Sequence, residues 1–106
     1  MKPWIAVDLD GTLAEYHGWV GPEHIGNPVI PMVNRVCHWL AEGKEVRIFT
    51  ARAGVEEQIK PVQEWCLKHI GIVLEITNIK DFGMIELWDD RAIRVIFNKG
   101  EPCCGK

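Results

Sequence analysis

The stretch that decides the reading is Trp4–Tyr16, "WIAVDLDGTLAEY". Its apolar run, Trp4 to Val7, is too short for a helix and apolar enough for a buried strand. That run delivers two carboxylates one residue apart, Asp8 and Asp10, followed at once by Gly11 and Thr12. No basic residue stands beside them, so a buried strand ends in two uncompensated negative charges. An EF-hand does not account for the pair. With Asp8 as position 1, Leu13 falls where the calcium loop needs glycine and Trp19 where it needs a bidentate glutamate.

Outward from this stretch, residues 11–31 carry Gly11, Gly18, Pro22, Gly21, Gly26, Pro28 and Pro31. They read as a long irregular loop, the kind that is usually functional, and here as a flap over the strand end. Met32, Val33, Val36, Cys37, Leu40 and Ala41 then recur at helical spacing, with Gly43 as the stop. Val46 to Thr50 ("VRIFT") is a second strand. A second helix is expected over Val55–His69, with Pro61 either kinking it or marking the first turn of a shorter helix from near Ile59. Three more apolar runs follow, Ile72–Ile76, Ile85–Trp88 and Ile93–Phe97, and residues 99–106 read as a polar tail. Strands alternating with helices predict one α/β, Rossmann-like domain over 1–106, a mainly parallel sheet of about five short strands flanked by helices.

The charge balance, 12 Lys and Arg against 15 Asp and Glu, gives a net charge of −3. That speaks against a broad surface for nucleic acid or anionic membrane. No apolar run approaches the roughly 20 residues that span a bilayer, and acids come too early for a signal peptide. The expectation is a cytoplasmic chain with no membrane partner. The cysteines and histidines show no zinc-ligand spacing. Cys37 and Cys66 fall among apolar helix residues, whereas Cys103 and Cys104 sit in the tail without an assigned role.

Ligands of parallel α/β sheets bind beyond the carboxyl ends of the strands. Asp8 and Asp10 stand where the first run ends, Thr50 where the second ends, and Asp89 and Asp90 where another ends. Clustered carboxylates resist joint ionisation unless a cation joins them. An all-oxygen ligand set points to Mg²⁺, which favours one or two carboxylates, water and phosphate. Free N–H groups over Leu9–Thr12 are expected to cradle phosphate oxygens.

Taken in order, "AVDLDGT", Thr50 in "IFTAR", Lys80 and "WDDR" resemble the four-motif signature of the haloacid dehalogenase (HAD) superfamily of phosphatases. The motifs spread from Asp8 to Asp90. The resemblance implies a Mg²⁺-dependent phosphomonoester hydrolase in which Asp8 is the nucleophile that forms an aspartyl-phosphate and Asp10 is the general acid and base. It also implies that Thr50 donates to the phosphoryl group and that Lys80 supplies positive charge. Asp8, the Asp10 carbonyl and the Asp89–Asp90 pair would hold the metal, with Asp90 preferred to Asp89. Gly11, Thr12 and Arg52 are the substrate-binding candidates. Lys80 departs from the family pattern, because it stands only nine residues before Asp89 and the family lysine stands further upstream. Lys60, followed by Pro61, is the alternative.

Family members acting on small metabolites commonly carry a cap domain, inserted after the first motif or between the second and third. Neither residues 11–31 nor residues 51–79 leave room for one. The open cleft suits a large phosphorylated substrate, such as a nucleic-acid end or a phosphoprotein, or a homo-oligomer whose neighbouring subunit covers it. Within the flap, Tyr16, His17, Trp19 and His24 are candidates for contacting a base or sugar. "TAR" and "DDR" together resemble the phosphatase domain of polynucleotide kinase-phosphatases, a subclass of the same reading. A catalytically vestigial module that binds Mg²⁺ and phosphate is the alternative from a different class.

Overall fold

The computed structural model describes residues 2–103. In chain order they form strand β1 (Trp4–Val7), helix α1 (Ile30–Ala41), strand β2 (Glu45–Phe49), two short 3-10 turns, helix α2 (Ile59–His69), strand β3 (Glu75–Thr77) and strand β4 (Met84–Trp88). All four strands are parallel, in the order β3-β2-β1-β4. β1 is therefore interior and buried along its whole length, which is why it reads as a continuous apolar run rather than an alternating one.

Register sorts the side chains between the two faces. Ile5 pairs with Val46 and Val7 with Ile48, so these four share one face. They join Met32, Val33, Val36 and Trp39 of α1 and Val62, Trp65 and Cys66 of α2 in a single buried cluster. Cys66 is fully buried within it and Cys37 packs against it, both acting as small hydrophobes. Both helices thus cover the same face. On the other face, Trp4 packs against Asp81 and Gly83 in residues 78–83, which carry the chain from β3 across to β4. Trp4 Nε1 donates to Asp81 Oδ1 (2.8 Å), and the Arg47 guanidinium lies 4.3 Å from the Trp4 ring centroid.

Of the two alternatives for the second helix the shorter is observed, and the strand count needs correction. The second helix begins at Ile59, with Pro61 in its first turn, where a missing N–H breaks no helical bond. Residues 51–58 form the two 3-10 turns instead, separated at Val55, whose backbone is extended. The sheet also has four strands rather than about five. A strand parallel to β4 needs a crossover of a dozen or more residues, but only Asp89–Ala92 separate Trp88 from Ile93. Ile93–Phe97 pairs locally with the tail instead. Ile96 N donates to Glu101 O (2.8 Å) and Cys103 N to Arg94 O (2.7 Å), with a turn through Asn98 at φ 62°. The end of the expected polar tail, including Cys104, lies outside the described residues.

Residues 11–29 carry neither helix nor strand, yet their base is closed. Glu15 N donates to Asn27 O and Val29 N to Leu13 O, each at 2.8 Å. The two limbs come so close that a Cβ on Gly26 would overlap the Glu15 carbonyl. Trp65 Nε1 of α2 donates to Gly26 O (2.9 Å), anchoring the loop to the helix layer. The loop between these limbs projects past the carboxyl ends of the strands. Among the described residues, no helix is long and apolar enough to cross a membrane.

Candidate functional site

A cavity of about 570 Å³ opens at the carboxyl edge of the sheet. Asp8, Asp10, Thr50, Arg52, Asp89 and Asp90 all line it, so three strand ends contribute, as the sequence pattern predicts. Asp8 N donates to Trp88 O (2.9 Å) and Thr50 N to Thr77 O (2.9 Å), so sheet pairing continues one residue beyond β1 and β2 and fixes both positions.

The rim divides into two halves. In the first, carboxylate oxygens of Asp8, Asp89 and Asp90 all lie within 4.8 Å of one another. Thr12 Oγ1 lies between them, 3.4 Å from Asp8 Oδ2 and 3.3 Å from Asp90 Oδ1. Gly11, at φ +88°, makes this approach possible, because a Cβ there would stand 3.0 Å from Asp90 Oδ2. Asp89 Oδ1 accepts from Arg91 N at 2.6 Å, closing the turn after β4. The Asp8 pKa is raised from 3.8 to about 7, chiefly by burial. A hydrogen bond shared with Asp90 and the charges of Asp89 and Asp90 add to the rise, and the Leu9 N–H opposes it. Three hard oxygen donors held this close are a set that could hold a divalent cation.

In the second half the counter-charge belongs to the protein. Arg52 is only 4% exposed. Its Nε donates to Asp10 Oδ2 (2.8 Å) and one terminal nitrogen to Asp10 Oδ1 (3.1 Å), the two-pronged geometry in which a guanidinium matches a carboxylate. The same guanidinium donates to Pro22 O (2.9 Å) and His24 O (3.1 Å), and lies 4.8 Å from the Trp19 ring centroid. Arg52 therefore clamps the flap to Asp10. Thr50, also 4% exposed, accepts from Arg52 N at 3.2 Å, which leaves its hydroxyl proton available to donate.

Several expected roles are thereby relocated. Arg52 was expected to meet substrate, and its polar atoms are largely engaged inside the protein. Of the N–H groups expected to cradle phosphate, that of Gly11 donates to Ala14 O (2.8 Å) and that of Thr12 to Leu9 O (3.2 Å). Lys80 is not brought to the rim. It lines a separate depression with Asp81, Phe82 and Met84, while Lys60 lines another beside α2. The basic residues lining the acid-bearing cavity are Arg52 and Arg91. In the flap, Tyr16 and Trp19 line the cavity, whereas His17 pairs with Glu15 (3.4 Å) and His24 contributes its carbonyl to Arg52.

The sequence reading missed Phe49, Gln58, Asn78 and Leu87, which also line the cavity. Asn78 was within reach of the strand-end rule, since it stands one residue beyond β3. Compared with protein-family models, curated proteins and solved structures, the chain matches none.

Proposed function

We propose that this chain is a Mg²⁺-dependent phosphomonoester hydrolase of the haloacid dehalogenase type, acting in the cytoplasm through an aspartyl-phosphate on Asp8. The observation that carries the reading is the convergence of Asp8, Asp89 and Asp90, with carboxylate oxygens within 4.8 Å of one another, in a cavity that Thr50 also lines at the carboxyl edge of a parallel sheet. Asp8, Asp89 and Asp90 would hold Mg²⁺, which when bound supplies Lewis-acid stabilisation of phosphoryl charge.

In this reading an Asp8 carboxylate oxygen attacks phosphorus, and the bond to the leaving oxygen breaks as the acyl phosphate forms. Asp10 gives the departing alkoxide its proton. It then takes a proton from water as that water attacks phosphorus, releasing phosphate and restoring the Asp8 carboxylate. Both Asp10 oxygens are held by Arg52 in the present arrangement, so one of these bonds must loosen when substrate arrives. Thr50 donates its hydroxyl proton to a phosphoryl oxygen. With Lys80 on another depression, the cationic role at the phosphoryl group falls to Arg91, whose side chain lines the cavity.

The test is hydrolysis of p-nitrophenyl phosphate with Mg²⁺ and with EDTA, beside the Asp8→Asn variant. Turnover that requires both Mg²⁺ and Asp8 supports the reading. Turnover that survives either loss overturns it.

A further inference from the structure

We propose that the aromatic wall of the cavity is a nucleobase-binding site, so that the phosphomonoester this chain accepts is a nucleotide. The inference rests on the phosphomonoester reading of the acid-bearing wall. A volume of about 570 Å³ is that of a pocket for a whole small ligand, in a range of roughly 300–1,000 Å³, and is far more than a phosphoryl group occupies.

Beside the acids, the cavity wall carries a second chemistry. Tyr16, Trp19, Phe49 and Leu87 make it aromatic and apolar, and Gln58 and Asn78 add two carboxamides. Trp19 is 51% exposed and Tyr16 43% exposed, an arrangement with little value for the core and direct value for a flat ligand. Trp19 is also held in place. Its ring meets the Arg52 guanidinium, which four hydrogen bonds fix to Asp10, Pro22 and His24. A stacking surface set before the ligand arrives avoids the cost of ordering it on binding. A carboxamide carries a donor and an acceptor side by side, the combination that reads the edge of a base.

A sugar phosphate offers the aromatic wall no planar π face to stack on, and offers the carboxamides no paired donor–acceptor edge. A long polyanion is disfavoured by the net charge of −3, because each backbone phosphate contact calls for Lys or Arg. A single terminal nucleotide avoids that demand, whether free or at the end of a short chain.

The test is calorimetric binding to the Asp8→Asn protein in Mg²⁺, with adenosine, guanosine, cytidine and uridine 5′-monophosphates against ribose 5-phosphate. The expected result is at least one nucleotide bound about tenfold tighter than ribose 5-phosphate, the scale of one stacked base. Trp19→Ala should bring that ratio close to one, Trp19→Phe should retain most of it, and Asn78→Ala should change the ranking among bases. Ribose 5-phosphate bound as tightly as every nucleotide overturns the proposal. So does a nucleotide preference unchanged in both Trp19→Leu and Asn78→Ala; Trp19→Leu removes the aromatic face while keeping bulk, which keeps the test decisive if Trp19→Ala fails to fold.

Hydrolysis by the unsubstituted chain separates the two readings. Nucleotide preference in binding without turnover of any phosphomonoester removes the hydrolase and keeps the base site. Equal turnover of ribose 5-phosphate and nucleotides removes the base site and keeps the hydrolase. Phosphorylated dinucleotides form the last arm. Tighter binding than the mononucleotide assigns the ligand to a chain end, and weaker binding assigns it to free nucleotides, with the base site supported in either case.

Discussion

The two halves of the acid rim begin from the same tripeptide and end in opposite electrostatic states. Asp8 faces Asp89 and Asp90, so carboxylate meets carboxylate, and its pKa rises to about 7. Asp10, two residues on, has both oxygens on a buried guanidinium. In an extended strand positions two apart share a face, but the chain turns at Leu9, whose carbonyl accepts from Thr12, Leu13 and Ala14 N. The two side chains thus meet different surroundings, the separation that a nucleophile and a proton-transfer group require. One half is completed by the protein itself. The other brings three carboxylates together, and in the proposed reading a cation completes it.

The largest effect expected from breaking this asymmetry is on turnover. Asp8→Asn keeps the shape of the first half and removes its proposed nucleophile. Hydrolysis of p-nitrophenyl phosphate should fall by roughly a thousandfold or more, while circular dichroism stays unchanged. Activity within tenfold of the unsubstituted chain would remove Asp8 from the chemistry.

The second half should be broken most severely by Arg52→Ala. That change leaves the Asp10 carboxylate without its partner, frees the carbonyls of Pro22 and His24, and opens a space under Trp19. The expected cost is about 3 kcal/mol of unfolding free energy by urea titration. Proteolysis in the 16–25 loop should accelerate with it, since the clamp holds that loop down. Arg52→Lys keeps the charge without the planar fork, so it should recover only part of the loss. Full recovery by lysine would mean that charge alone, rather than geometry, holds the flap.

The sequence made the first half legible and most of the second half obscure, for a physical reason. Strand-end acids announce themselves, because a continuous apolar run that stops at Asp is a local pattern with a positional consequence. The rim position of Asp8, Asp10, Thr50, Asp89 and Asp90 follows from parallel topology alone. The partnership of Arg52 with Asp10 joins positions 42 residues apart and depends on how a 3-10 turn aims one side chain, which no periodicity encodes. One clue existed. Two uncompensated acids one residue apart ask for two counter-charges, and a buried arginine serves one of them. Lys80 shows the opposite failure. Its place in a motif order suggested the rim, but residues 78–83 leave the carboxyl edge to reach the start of β4. The missing fifth strand has the same origin, since Ile93–Phe97 has strand composition but too short a connection to reach a parallel position beside β4.

The smaller effects concern pH, where two carboxylates should titrate stability in opposite directions. Unfolded, Asp8 ionises near 3.8, and folded and metal-free, near about 7. Its raised pKa leaves the folded state without penalty below pH 4 and penalised once both states are ionised, so stability falls as pH rises through 7. Solvent screening of a half-buried group leaves roughly 1–2 kcal/mol. Metal-free Asp8→Asn should therefore melt a few degrees above the unsubstituted chain at pH 8, and Mg²⁺ should narrow that gap by stabilising only the latter. Equal melting at pH 8 with EDTA would mean that the first half carries no uncompensated charge.

Asp81, on the connection to β4, has the reverse sign and the smallest effect. Trp4 Nε1 and Gly83 N both donate to its Oδ1 at 2.8 Å, and Arg47 lies 3.8 Å from Oδ2. The Trp4 bond, then that from Gly83, with a further part from Arg47, holds the Asp81 pKa below the ordinary 3.8. Its contribution is accordingly present above pH 4 and lost as pH falls through the folded value. Asp81→Asn retains Oδ1 as acceptor and removes only the charge, so melting temperatures should differ slightly at pH 7 and converge below pH 3. A gap that widened on acidification would show that Asp81, like Asp8, sits among unbalanced negative charge. Opposite slopes would locate the deficit of positive charge at the carboxyl edge alone, where Asp8, Asp89 and Asp90 meet.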